Sequence, residues 1–235
     1  MTNSWTLLRI ASFCGAVAIV GAAFAILPTR AQERAVELPK PVVDAAGETG
    51  LQKAVIAGGC FWGIQAVFQH MKGVVSATSG YAGGTVSNPS YEHVSSGTTG
   101  HAESVRVVFD PAVLPYEKLL EVFFTVAHDP TEVNRQGPDV GTQYRSAIFY
   151  SSPAQHQATS AYVSALDKSG KYRKPIATQI APLRGFYPAE SYHQDYATRH
   201  PEAAYIVYND APKIEALRKQ YPSLWQDRIA TSEMR

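Results

Sequence analysis

The chain has 235 residues, 45% hydrophobic and 17% charged, the balance of an ordinary globular protein with room for one domain and a sizeable core. A formal net charge of +1 excludes any general electrostatic drive toward nucleic acid or an anionic surface.

Ala11 to Leu27 is apolar and uncharged, with Arg9 before it and Arg30 after it. This reads as a secretory signal peptide, and cleavage fits after Ala25 or after Ala31. An uncleaved anchor is the alternative, although the run is short for a span of about 17–25 residues. Either form predicts export, with the rest of the chain in the periplasm or held at a membrane facing it. Phe13 before Cys14 argues against lipid attachment there. Residues 32–50 are a polar linker with no clear period.

Lys53 to Ala57 then reads as a short buried strand. Phe61 to Met71 reads as a helix, with Phe61, Ile64, Phe68 and Met71 recurring near the helical period and Gly73 as its C-terminal cap. Val74 to Gly80 predicts a second strand. Tyr81 to Gly100 is rich in Gly, Ser, Thr, Asn and Pro and predicts a long loop, a kind of segment that is usually functional. From His101 to Phe109 the alternation is clear, and Glu103, Val105, Val107 and Phe109 share one strand face. Pro115 to Ala127 predicts a helix with Leu119, Val122, Phe123 and Val126 inward. A strand over Ser146 to Tyr150, a helix over Pro153 to Lys168, a strand around Thr178 to Ile180 and a Pro-initiated helix from Pro212 to Gln220 complete the order. The order points to an open α/β or α+β layer structure, with helices on one side of a mostly antiparallel sheet.

Chemistry concentrates at Gly58-Gly59-Cys60-Phe61-Trp62-Gly63. A cysteine that opens a helix faces the N-terminal N–H groups and the positive dipole end, which favour a thiolate. A buried structural cysteine is the alternative. If the leader is removed, Cys60 is the one cysteine left, and no internal disulfide can form. Glu103 continues an apolar strand face, where desolvation raises a carboxyl pKa and makes a proton donor near neutral pH. A strand-end glutamate paired with a cation is its bland counterpart. Seven histidines are scattered without a His-Glu-x-x-His or paired-Cys spacing, so no metal is expected.

A series of segments, in order, resembles the A-type peptide methionine sulfoxide reductases. Gly59-Cys60-Phe61-Trp62-Gly63 comes first, then Gly80-Tyr81-Ala82-Gly83-Gly84 and Asn88-Pro89-Ser90-Tyr91. Gly100-His101-Ala102-Glu103 and Asn134-Arg135-Gln136-Gly137 come next. Gly141-Thr142-Gln143-Tyr144-Arg145-Ser146 and Tyr192-His193-Gln194-Asp195-Tyr196 complete the set. The likeness covers about Gln52 to Trp225. It implies a ferredoxin-like α+β core with long functional loops.

The same resemblance implies Cys60 as nucleophile toward methionine S-sulfoxide, free or in oxidised proteins, and Glu103 as general acid. Tyr91 and Tyr144 would bind the substrate oxygen, Phe61 and Trp62 would wall the methyl group, and Asp139 would hold the substrate backbone. No bound cofactor is implied. Many relatives carry resolving cysteines near the C-terminus, but Tyr205 to Arg235 has none. An external reductant is therefore expected: a thioredoxin-like protein, a glutaredoxin with glutathione, or a small thiol. The expected layout is a leader or anchor at 1–31, a linker at 32–50, a catalytic domain at 51–228 and a tail at 229–235, in a monomer. A Cys-dependent hydrolase or acyl transferase with His101 or His193 as base, and a non-catalytic binding module, are the competing readings.

Overall fold

The computed structural model describes residues 50–232. The leader with Cys14, nearly all of the linker and the end of the tail therefore lie outside the described residues.

The chain opens with β1 (Gln52–Gly58), α1 (Phe61–Gln69), β2 (Val74–Ala82), the short α2 (Tyr91–Ser95) and β3 (Ala102–Phe109). Next come α3 (Tyr116–Val122), which runs into a π-helical turn over Phe123–Ala127, and a small ribbon of β4 (Arg135–Gln136) and β5 (Asp139–Val140). β6 (Ser146–Tyr150), α4 (Pro153–Lys168), β7 (Gln179–Pro182) and β8 (Phe186–Pro188) follow. The end of the chain carries α5 (Tyr196–Arg199), a second π-helical turn over Ile206–Asp210, and α6 (Ala211–Gln220).

Six strands form one sheet in the order β7-β6-β1-β3-β2-β8. Every pairing is antiparallel except β6 with β7. The inner four strands, with α1 between β1 and β2 and α3 between β3 and β6, make the expected ferredoxin-like core. β1 is central and reads as a near-continuous apolar run because both its faces are buried. Ile56, Val105, Val107, Phe109 and Ile148 meet residues of the helices α1, α3 and α4 on one side. Val55, Ala57, Ala147 and Phe149 form a smaller cluster on the other, covered by Ala181, Leu183 and Phe186. Phe61, Ile64 and Phe68 of α1 are nearly inaccessible, each contributing about 1.5–3 kcal/mol through apolar burial.

Several expectations shift in detail. α1 is capped by His70, and Gly73 lies in the turn beyond it at φ 88°. The stretch from Tyr81 is not wholly loop: Tyr81 and Ala82 stay paired with Glu103 and Ala102, and Ser90 caps α2 by accepting the His93 N–H. The expected single helix over Pro115 to Ala127 ends as a π-turn, in which the ladder closes on the residue five back. The turn leaves Phe123 and Phe124 both buried and delivers His128, whose Nδ1 lies 2.9 Å from the Phe123 carbonyl oxygen. His128 Nε2 lies 2.7 Å from Ser146 Oγ, and burial lowers the imidazole pKa to about 4, so the ring is neutral. β8 and α5 have no clear pattern in the sequence.

A set of buried amides fixes the segment after β8 onto α1 and β2. Gln194 Oε1 accepts the Ser79 N–H at 2.9 Å and Gln65 Nε2 at 3.0 Å, while its Nε2 donates to the carbonyls of Ser79 and Ala189 at 2.9 and 3.0 Å. Asp195, left-handed at φ 54°, accepts from Gln69 Nε2 at 2.6 Å and from the Ser232 hydroxyl at 3.1 Å. The end of the chain also lies against α1, where the Ala230 N–H donates to the Gln69 carbonyl and Trp225 stacks on His70. Gln194→Ala strands the buried Ala189 carbonyl and Ser79 N–H, the Ser79 carbonyl keeping the Ala189 N–H, and should cost about 2–4 kcal/mol in urea unfolding. An unchanged unfolding midpoint would show that water satisfies these groups.

Candidate active site

Antiparallel pairing gathers the site at one end of the sheet. β1 leaves the sheet at Gly58, opposite the point where β6 enters at Ser146. β3 enters at Ala102, opposite the last residue of β2. The turn after β1 carries Cys60, the start of β3 carries Glu103, the loop after β2 carries Tyr91, and the stretch before β6 carries Asp139 and Tyr144. Gly59 makes the turn at φ 95°, and a Cβ there would sit 2.5 Å from Gln136 Cβ, so no other residue lets the chain turn into α1 here.

Cys60 is the N-cap of α1 and is 8% exposed. The Trp62 backbone N–H favours the thiolate, as expected of a helix N-terminus. Burial outweighs it. Desolvation first, then the charges of Glu103, Asp210 and Asp139, push the thiol well above its ordinary value. The resting site therefore holds a thiol, which corrects the expectation of a thiolate.

Glu103 is 3% exposed, and its Oε2 accepts the Phe61 N–H at 3.1 Å. Desolvation pushes its pKa up to about 8 against the lowering effect of that N–H. It is a protonated acid at neutral pH. Tyr91 and Tyr144 lie within electrostatic reach of Cys60 and Glu103, and burial raises both phenols above their ordinary value. They are neutral donors. Asp139 Oδ2 accepts the Tyr205 hydroxyl, and the Tyr205 ring stands edge-on to Trp62 with centroids 5.7 Å apart.

Phe61 and Trp62 form an aromatic wall. Trp62 stacks on Tyr196 at 3.8 Å, and its indole N–H donates to His193 Nδ1 at 3.2 Å. The His193 ring also lies 5.0 Å from Phe61 and 4.5 Å from Tyr91. Glu190 orients the tyrosine face. Its two carboxylate oxygens accept the Tyr91 N–H and the Tyr81 hydroxyl, both at 2.8 Å. Of the two histidines weighed as bases, His101 is tied to backbone groups, and His193 lies in the aromatic wall with its Nε2 unpartnered and its basicity reduced. His101 accepts from the Gly84 N–H at 3.1 Å and meets the Val86 carbonyl at 2.8 Å, and desolvation lowers the His193 pKa. Among the described residues no group of three or more His, Cys, Asp or Glu side chains has the geometry to hold a metal ion.

The structure thus brings together Cys60, Glu103, Tyr91, Tyr144, Phe61, Trp62 and Asp139. Sequence reasoning missed Tyr205, Glu190, Tyr196 and Asp210. Only Tyr196, inside the Tyr-His-Gln-Asp-Tyr segment, had a signal that could have found it.

A buried thiol beside a protonated carboxyl, two phenol donors and an aromatic wall suits reduction of a small polar group flanked by an apolar one. The family model described as peptide methionine sulfoxide reductase matches residues 52–225. The chain belongs to this family. It is 50% identical over 186 residues to peptide methionine sulfoxide reductase MsrA 2 of Mesorhizobium japonicum, covering 79% of this chain and 95% of that protein. Identity to MsrA of Thermus thermophilus is 54% over 171 residues, 73% of this chain and 96% of the relative. The solved structure of methionine sulfoxide reductase A of Corynebacterium diphtheriae superposes with a TM-score of 0.57 at 38% identity, covering 70% of this chain and 84% of that one. Like these relatives, the chain is an oxidoreductase acting on methionine sulfoxide.

Glu103 should place function and stability in opposition. Its folded pKa of about 8 lies above the unfolded carboxylate value, so the fold loses stability as pH rises from about 4.5 through about 8. Glu103→Gln removes that ionisation. Its melting temperature should match the parent near pH 5 and exceed it above pH 8, by several degrees. Parallel melting curves across that range would contradict the buried acid.

Proposed function

We propose that the protein reduces methionine S-sulfoxide by a one-cysteine cycle centred on Cys60. The observation that carries this reading is Glu103, held protonated by burial and bonded to the first N–H of the helix that Cys60 caps. The methyl group of the sulfoxide packs on Phe61 and Trp62, and its oxygen takes hydrogen bonds from Tyr91 and Tyr144. Asp139 meets the substrate backbone. Glu103 gives its proton to the sulfoxide oxygen as Cys60 sulfur bonds to the sulfoxide sulfur, and the resulting hydroxyl then passes to the Cys60 sulfur as the S–O bond and the new S–S bond break. The thiol proton returns to Glu103. Methionine leaves with its sulfur reduced by two electrons, and Cys60 holds the oxygen as a sulfenic acid. Preorganised donors aimed at an oxygen that gains charge are the largest expected contribution.

An external thiol then attacks the Cys60 sulfenic acid, releasing water, and a second thiol resolves the mixed disulfide. Cys14 and Cys60 are the two cysteines of the chain, so this half must be intermolecular once the leader is removed. A thioredoxin-like protein, a glutaredoxin with glutathione, or a small thiol fits that role. The leader supports an exported enzyme that repairs oxidised proteins as a monomer, periplasmic or membrane-anchored, with the catalytic domain at 51–228 and a short tail at 229–235.

The test is a single turnover without reductant. Reduced protein mixed with the S epimer should yield about one methionine per chain and a trappable sulfenic acid on Cys60, and the R epimer should yield none. Cys60→Ser should abolish the yield, and methionine formed by that variant would remove Cys60 as nucleophile. The first half-reaction should slow as pH rises through about 8, where Glu103 loses its proton. Tyr91→Phe and Tyr144→Phe should each slow it by about 10²-fold. Full rates in both phenylalanine variants would move the oxygen site elsewhere.

A further inference from the structure

A carboxyl outside the proposed machinery shares the end of α1 with Cys60. Asp210 is fully buried, at the end of the second π-helical turn. Its Oδ1 meets Lys213 Nζ at 3.2 Å, and its Oδ2 has no hydrogen-bond partner. It reaches the first turn of α1 because residue 63 is glycine. A Cβ at Gly63 would lie 2.1 Å from Asp210 Oδ1 and 3.1 Å from Lys213 Nζ. The carboxyl therefore occupies the space a side chain would fill, one turn from the cysteine.

We propose that Asp210 is a positioning residue that holds Cys60 in its thiol form between turnovers. A helix N-terminus offers one region of positive potential, and an anion already seated there competes with a second. Burial raises the Asp210 pKa and the Lys213 ammonium opposes that shift; with Asp210 ionised against Gly63, a thiolate at Cys60 gains less from the helix end. The charge of Asp210 accordingly acts to raise the Cys60 pKa. The thiolate is the form that reacts with oxidants and disulfides, and among the described residues Cys60 has no neighbouring cysteine to take over an oxidised sulfur.

Other groups face Cys60. Glu103 comes from β3 and Asp139 from β5, and both act in the same direction as Asp210. The phenols of Tyr91, Tyr144 and Tyr205 are neutral, their ionisation opposed by burial. Lys213, on α6, is the cation that offsets Asp210. Asp210 differs from Glu103 and Asp139 in having no assigned task in binding or proton transfer.

The inference rests on the reading of Cys60 as nucleophile but is tested without sulfoxide. The pH dependence of iodoacetamide alkylation at Cys60 is followed by mass spectrometry. Asp210→Asn, nearly isosteric, should lower the midpoint by about one pH unit and raise the near-neutral rate about tenfold. Lys213→Met leaves the carboxyl without its cation and should raise the midpoint. A purely structural role would alter melting without moving either midpoint. Unchanged midpoints in both variants, or shifts in the same direction, overturn the proposal. Either result leaves the Cys60 reading to its own single-turnover test.

Discussion

The positive end of α1 is the scarce resource of this site, and burial decides how it is shared. The Phe61 N–H goes to Glu103, the Trp62 N–H favours a charged Cys60 sulfur, and the face of Gly63 receives Asp210. A helix terminus contributes about 0.3–1 kcal/mol to an exposed anion and about 2 kcal/mol in favourable buried geometry. Desolvation of a fully buried ionisable group is worth up to about 3–5 pKa units. Burial wins, and both the thiol and the Glu103 carboxyl keep their protons. The site is then a set of neutral acids around a sulfur, which suits protonation of a sulfoxide oxygen rather than attack by a pre-formed anion.

The rest of the architecture serves that end of the helix. The antiparallel sheet brings the exit of β1 beside the entries of β3 and β6, so residues far apart in sequence converge without long excursions. Two π-helical turns flank the same spot. One delivers His128 behind Gly58, where a Cβ would lie 2.8 Å from the imidazole Cγ, and the other ends at Asp210. π-turns recur near functional sites because an extra residue re-aims the next stretch of chain. The amides of Gln65, Gln69 and Gln194 hold the His193–Tyr196 stretch and so fix the indole of Trp62 between Tyr196 and Tyr205.

Local features are the ones legible in the sequence. The alternation over β3 and the proline start of α4 name their own elements, and Glu103 stands out because it interrupts an apolar face. The Gly-Cys-Phe-Trp-Gly run marks a strand–helix junction. Tyr205 and Asp210 carry no such mark, since an isolated tyrosine or aspartate looks like surface until the fold buries it. The protonation state of Cys60 escapes the sequence for a related reason. The helix dipole is local and visible there, whereas desolvation depends on the packing of distant segments. Gly73 has the look of a cap because it follows an apolar period, but the helix has already ended at His70.

The two poles of α1 each carry an indole. Trp62 lies at the N-terminal end, stacked on Tyr196 beside the cysteine, and Trp225 lies at the other, stacked on His70 with centroids 4.5 Å apart. A helix of nine residues separates them by about 14 Å. The third tryptophan of the chain, Trp5, lies outside the described residues. The described residues thus contain two native fluorophores in distinct settings. One emits from the catalytic mouth and registers what enters it, and the other registers whether the end of the chain remains seated. Occupancy and tail docking are separable optical signals in one unlabelled molecule.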